Sequence, residues 1–294
     1  MTVVVIGGAN LDLKARTTRA VVPGTSNPGS IATSPGGVAR NIAENLARLG
    51  TPTLLVAAVG RDLFGDDLLG ATAEAGVDVS RVRRVVGETG TYVAVLDDAG
   101  ELHVAVSDMS ATATLRPEDM DAERAVIGAA DLVVLDGNLQ PDTLARAWTL
   151  ASAAGVRVVL DPVSVPKAAA LATALRDRPL WAVTPNTAEL TALGARTPAD
   201  LHARNVSVVW LREGAHGSLL STPEGEVRLA TLPGEVVDVT GAGDAMLGAF
   251  CHALLGGASL PDAAAYGHAA AALTVASTST VRADLSDELL RSLL

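Results

Sequence analysis

The chain has 294 residues, 49% of them apolar and 19% charged, which is material for a large core and too little charge density for a disordered chain. Twenty-two Lys and Arg against 33 Asp and Glu leave a formal charge of −11. The basic residues are scattered, which argues against a nucleic-acid backbone or an anionic membrane surface as partner. No apolar run approaches the roughly 18 residues of a membrane-crossing helix. The single cysteine, Cys251, excludes an internal disulfide framework and a cysteine-based zinc site. A cytoplasmic protein is expected, since Met1–Gly8 carries no basic region ahead of its short apolar stretch.

Along the chain, short apolar runs alternate with Ala/Leu-rich stretches. Val3–Ile6, Thr53–Val59, Leu132–Leu135, Val156–Leu160, Leu180–Thr184 and Val206–Leu211 read as strands buried on both faces, the pattern of a mainly parallel sheet covered by helices. A helix is predicted over Gly37–Leu49, with Val38, Ile42, Leu46 and Leu49 on one face and Gly50 as its cap. Further helices are predicted at Phe64–Ala75, Pro141–Ala154 and Ala242–Leu255. Two regions break the rhythm: Leu11–Ser34, rich in Thr, Pro, Gly and Ser, and Val82–Val106, whose strand-like runs are joined by Gly87–Gly90 and by Asp97–Gly100. The second reads as a hairpin. Residues 1–294 are therefore expected to form a single α/β domain, with a small antiparallel β lid built from residues 11–35 and 82–107 and shared with a second copy of the chain.

The strongest chemical signal is Asp238-Val239-Thr240-Gly241-Ala242-Gly243-Asp244, which runs directly into an amphipathic helix. Glycines at a helix start expose backbone N–H groups to an anion, and the helix dipole adds positive potential. Asp244 in the same first turn is a poor anion ligand and a good general base. The same residues read as an ordinary helix start, with Gly for the turn and Asp for the dipole. Neither a Walker loop nor a strand followed by G-x-G-x-x-G is present, and the missing dinucleotide fingerprint counts against an oxidoreductase.

These residues, taken with Gly36-Gly37 followed by Asn41 and with Gly60-Arg61-Asp62-Leu63-Phe64-Gly65, resemble in order the three signatures of the ribokinase-like (PfkB) family of carbohydrate and nucleoside kinases. The resemblance implies a three-layer α/β/α fold with a β lid, and the cofactors ATP and Mg²⁺. It makes Asp244 the catalytic base and Gly241, Ala242 and Gly243 the anion hole. It makes Asn10, Asp12, Gly36, Gly37 and Asn41 substrate ligands, where the residues alone read Asn10 and Asp12 as a turn pair. Asn186 and Glu189 in Thr184-Pro185-Asn186-Thr187-Ala188-Glu189 would position phosphate and, through water, Mg²⁺; a Thr-Pro-Asn helix cap fits equally well. Arg212, Gly214 and Gly217 would lie along the nucleotide, with Arg212 where Thr or Ser is common. Asp238 and Thr240 match positions that hold a monovalent cation such as K⁺ in many members.

Within the family the chain resembles the pseudouridine kinases, through Thr25-Ser26-Asn27-Pro28-Gly29, Ser34 to Ala47, Ser107-Asp108-Met109 and Asp161-Pro162-Val163-Ser164. That resemblance implies transfer to the 5′-hydroxyl of pseudouridine, with Ser26 and Asp108 in the lid meeting the base; turn chemistry is the alternative for both. A ribokinase or another nucleoside kinase would share the scaffold, and a nucleoside-binding regulator would be expected to have lost the base or the anion hole. The partners implied are a small nucleoside and ATP, with a homodimer formed through the lid.

Overall fold

The computed structural model describes residues 1–174 and 178–294. Its centre is an eight-stranded sheet in the order Gly225–Leu229, Ser218–Thr222, Val206–Arg212, Leu180–Val183, Arg157–Asp161, Leu132–Asp136, Val3–Ile6, Thr53–Val56. The six strands from Val206–Arg212 onward run parallel, and the two at the other edge are antiparallel. Alternate residues of one strand enter opposite cores: Val4 and Ile6 pack with Leu144 and Trp148 of the helix Pro141–Ala153, while Val3 and Val5 pack with Ile42, Leu46, Leu247 and Phe250. Strands apolar on both faces thus produce three layers. The helix Val38–Arg48 ends at Leu49, with Gly50 at φ 88 in the left-handed cap position.

The lid is a four-stranded sheet in the order Gly29–Gly36, Asn10–Thr17, Thr91–Leu96, Leu102–Asp108. Its outer ladders are antiparallel and its middle ladder, Asn10–Thr17 with Thr91–Leu96, is parallel. Two expectations need correction. The run Thr53–Val59 is not one strand: Ala57's carbonyl accepts from the Arg83 amide, so the chain peels away and Ala58–Gly60 pairs with Arg83–Val85 in a separate ribbon. Residues 82–90 accordingly belong to that ribbon and its exit and lie outside the lid.

The register places Ser34, Asp12, Tyr92 and Ser107 in one row across the lid, and Ile31, Ala15, Val95 and Val104 in a row on the opposite face. The first face looks inward, because Lys14, two residues from Asp12, reaches Asp238 on the body. Two neighbouring central strands end in paired carboxylates, Asp136 and Asp161. This carboxyl edge, under the lid, is where open α/β sheets bind ligands.

Candidate active site

Asp244 sits in the first turn of the helix Ala242–Leu255, whose N-cap is Gly241. Gly241 has φ 80, and a Cβ there would lie 2.1 Å from the carbonyl oxygen of Thr280, so only glycine fits. No side chain caps this helix. Ala242's amide turns back to the Val239 carbonyl, which leaves the following amides to head the helix toward an anion. The Asp244 carboxylate accepts from Asn41 Nδ2 at 2.7 Å. Burial pushes it up to about 8; the Asn41 bond opposes the shift and the nearby Asp161 carboxylate adds to it. A carboxylate tuned near neutrality, and fixed in direction by an amide, is suited to taking a proton from a hydroxyl.

Asn10 donates to Asp12 at 2.7 Å, and both are buried. A Cβ on Gly36 would sit 2.4 Å from the Asp12 carboxylate, and one on Gly37 2.6 Å from Ala9 Cα. Gly36 thus clears Asp12 on the neighbouring lid strand, and Gly37 clears the chain leaving the first strand. Arg40, 2% exposed and missed by sequence reasoning, is ion-paired to Glu44 and feels both Asp12 and Asp244; burial lowers its pKa to about 10. Asn41 is buried as expected. Its amide nitrogen is spent on Asp244, while its carbonyl oxygen has no partner among the described residues, leaving an acceptor beside the base.

Residues 1–287 match the family described as pfkB family carbohydrate kinase. The chain belongs to that family. It is 34% identical over 298 residues to a pseudouridine kinase of Escherichia coli K12, covering 97% of this chain and 93% of that protein. It matches the solved structure of a carbohydrate kinase from Agrobacterium tumefaciens at 33% identity and a TM-score of 0.87, over 99% of this chain and 96% of the other. It also matches a ribokinase of Arabidopsis thaliana, solved with ribose and ATP, at 26% identity, a TM-score of 0.87 and 99% and 97% coverage. The chain is therefore a ribokinase-like phosphotransferase acting on an alcohol group.

The remaining residues of this pfkB kinase fall into three groups. Asn186, Arg212 and Gly214 line a cavity of about 600 Å³, with Thr187, His216 and Arg228 among its other walls. Asn186 and Glu189 form the helix cap that the sequence also allowed: Asn186 Oδ1 accepts from the Glu189 amide at 2.9 Å, and Glu189 Oε2 accepts from the Asn186 amide at 2.8 Å. Burial raises the Glu189 pKa. Gly217 closes a turn, where a Cβ would collide with the Leu229 carbonyl, and lies outside the cavity lining.

Asp238 and Thr240, expected to hold a monovalent cation, are engaged with each other and with Lys14. Asp238 Oδ2 is 2.6 Å from Lys14 Nζ and its Oδ1 accepts from Thr240, so a lysine ammonium balances the carboxylate here.

In the lid, Asp108 is exposed and one carboxylate oxygen accepts from the Ser110 amide at 2.8 Å. Its backbone flanks Gly90, with the Asp108 carbonyl 3.0 Å and Asn10 Cβ 3.4 Å from where a Gly90 Cβ would be. Ser26 is exposed on the loop at the far end of the first lid hairpin. The strand from Asp12 to Thr17, about 16 Å long, leads away from Asp12 to the loop that carries Ser26. Asn27's amide oxygen is taken by the Val22 N–H. Sequence reasoning gave no role to Asp136, whose carboxylate accepts from the Gly8, Ala39 and Asn138 amides, or to Lys167, which donates to Asn138. The available signal was an apolar strand ending in Asp, which occurs at both Asp136 and Asp161.

Proposed function

We propose that the chain transfers the γ-phosphoryl group of ATP to the 5′-hydroxyl of pseudouridine. The observation that carries the chemistry is Asp244, buried, directed by Asn41 and placed at an uncapped helix start, with Arg40 feeling both its charge and that of Asp12. Asp12 accepts from ribose hydroxyls, since a carboxylate offers two oxygens to a diol. Asp244 takes the 5′-hydroxyl proton as that oxygen bonds to the γ-phosphorus. The bond from phosphorus to the bridging oxygen breaks, and its electron pair leaves with ADP. The inward face of the lid excludes water over this step.

Bound with the nucleotide, Mg²⁺ would supply charge neutralisation on its phosphates, and the buried Glu189 is the residue that would hold it, through water. No group of three or more His, Cys, Asp or Glu side chains able to hold a metal occurs among the described residues. This suits an ion held chiefly by phosphate and water.

The nucleoside is favoured over a free sugar by the similarity to the E. coli pseudouridine kinase across almost the whole chain. Pseudouridine's carbon–carbon glycosidic bond leaves a ring N–H that uridine lacks. We assign Asp108 as its acceptor: the Asp108 backbone lies beside Gly90, and its carboxylate, which alternates with the inward-facing Ser107 and accepts from the Ser110 amide, would have to turn across the strand end to meet the base. Ser26 enters from a second copy, in a homodimer formed through the outer face of the lid, where Ile31, Val104 and Val106 are exposed.

ATP consumption with pseudouridine, uridine, adenosine and ribose tests the assignment. An acceptor left unpaired costs about 1–3 kcal/mol, so pseudouridine should exceed uridine by roughly 5- to 150-fold in kcat/KM, with Asp108→Ala removing most of the gap. Equal use of the two nucleosides refutes pseudouridine as the substrate.

A further inference from the structure

Arg212 ends the strand Val206–Arg212. It lines the nucleotide cavity, but its guanidinium turns inward. Nη1 donates to Asp161 Oδ2 at 3.0 Å, and Nη2 lies 3.6 Å from Glu189 Oε2. A Cβ built on Gly243 would stand only 2.5 Å from Nη1. Gly243's missing side chain is therefore the space the guanidinium occupies, against the first turn of the helix that carries Asp244. One side chain spans the nucleotide cavity and the anion turn.

Several bonds fix that position. Arg212's own amide donates to the Pro185 carbonyl at 2.8 Å. Asp161 receives Thr184 Oγ1 at 3.3 Å on Oδ2 and the Val163 amide at 2.8 Å on Oδ1. Val163 pays for that bond with φ 71, a left-handed conformation that costs a β-branched residue about 1–3 kcal/mol. Glu189 is held by the Asn186 amide. Burial opposes the guanidinium's charge, and Asp161 and Glu189 more than offset it, so its pKa is raised.

We propose that Arg212 is a catalytic residue whose guanidinium contacts the transferring phosphoryl group between the nucleotide cavity and the Gly241–Gly243 turn. The inference rests on the reading of the chain as an ATP-dependent kinase. Phosphoryl transfer spreads charge over the three equatorial oxygens of a loose transition state. A planar fork already locked in place meets that charge with no reorganisation at the moment of reaction.

The test compares wild type with Arg212→Thr and Arg212→Lys in kcat, in KM for ATP, in thermal midpoint, and in affinity for ADP alone and for ADP with aluminium fluoride, which mimics the transferring group. Arg212→Thr should lower kcat by about 10²- to 10³-fold with KM for ATP changed by less than about threefold. Its ADP affinity should hold while the extra affinity conferred by aluminium fluoride is lost. Arg212→Lys should recover part of both, having the charge without the fork. A kcat within about threefold of wild type for Arg212→Thr overturns the proposal, as does parallel loss of ADP and ADP–fluoride binding, which marks a nucleotide seat or a purely structural ion pair. If Arg212→Thr fails to fold, Arg212→Lys decides: a kcat loss of about tenfold or more with ADP affinity kept supports the role, and unchanged kcat overturns it. A wild type inert toward all four acceptors would refute the pseudouridine kinase reading, and the aluminium fluoride comparison would still decide Arg212.

Discussion

Asp244 carries an opposed pair of demands, because the burial that tunes it as a base also penalises its charge. With its pKa pushed up to about 8, kcat/KM should rise with pH through that value in the free enzyme, since only the deprotonated carboxylate accepts a proton. The stability consequence has the opposite sign. A folded-state pKa above the unfolded one means that the folded chain holds the proton more tightly, so stability is full at low pH and declines from about pH 4 to about pH 8 as the carboxylate ionises. Asp244→Asn should therefore abolish most turnover, by about 10²- to 10⁴-fold, while its melting temperature gains on wild type progressively between pH 5 and pH 8. A pH-independent difference in melting temperature refutes the tuned base. The identity of this residue was legible because the glycine spacing and the helix period are local. Its partner Asn41 lies 203 residues away, and the spacing marked it as a substrate contact when its amide nitrogen is spent on the base. Arg40 left no local signal at all, since one arginine in a helix reads as surface until the lid strand covers it.

At the scale of elements, the paired strand ends Asp136 and Asp161 organise the site. Asp136 Oδ2 draws together the Gly8 amide at 3.0 Å and the Ala39 amide at 2.9 Å, joining the first strand's exit to the start of the helix Val38–Arg48. The early glycines make room for it: a Cβ at Gly7 would fall 2.3 Å from the Asp136 carboxyl, and one at Gly8 2.7 Å from the Asn138 amide. Gly7-Gly8 is thus steric clearance, which explains why a nucleotide motif was only faintly suggested there. Asp136→Ala leaves three buried backbone N–H groups unpaired and should cost about 2–5 kcal/mol, read as a lower urea midpoint with an unchanged slope. A midpoint shift under about 0.5 kcal/mol would show that water replaces the carboxylate. The strands themselves were legible from continuous apolar runs. The break at Ala57 was not, because it is decided by a hydrogen bond from Arg83 in a ribbon distant in sequence.

For the whole molecule, the lid presents an apolar outer face that the proposed homodimer would cover. The row Ile31, Ala15, Val95, Val104 and the row Thr33, Leu13, Val93, Val106 share its outer face. Ile31 is 71% exposed, Val106 64% and Val104 49%. A sheet face bearing Ile and Val in such density invites burial. Its inner face is already used by Asp12 and by the Lys14–Asp238 ion pair. The sequence indicated that these strands lack covering helices, and so pointed to association, but it could not show that the loop carrying Ser26 starts a strand's length from Asp12. In the proposed homodimer that separation makes association a functional matter, with Ser26 meeting the base of a neighbouring copy. Replacing Ile31 and Val104 by Glu places charge on exposed positions that make no core contact, so the fold should survive. Sedimentation at micromolar concentration should show wild-type dimers and a monomeric double variant. In that variant kcat/KM for pseudouridine should fall by about tenfold or more, the cost of losing one buried hydrogen bond and the covered site, while ADP affinity is retained. A monomeric wild type refutes the dimer. A monomeric variant with unchanged kinetics keeps the dimer and removes Ser26 from the site.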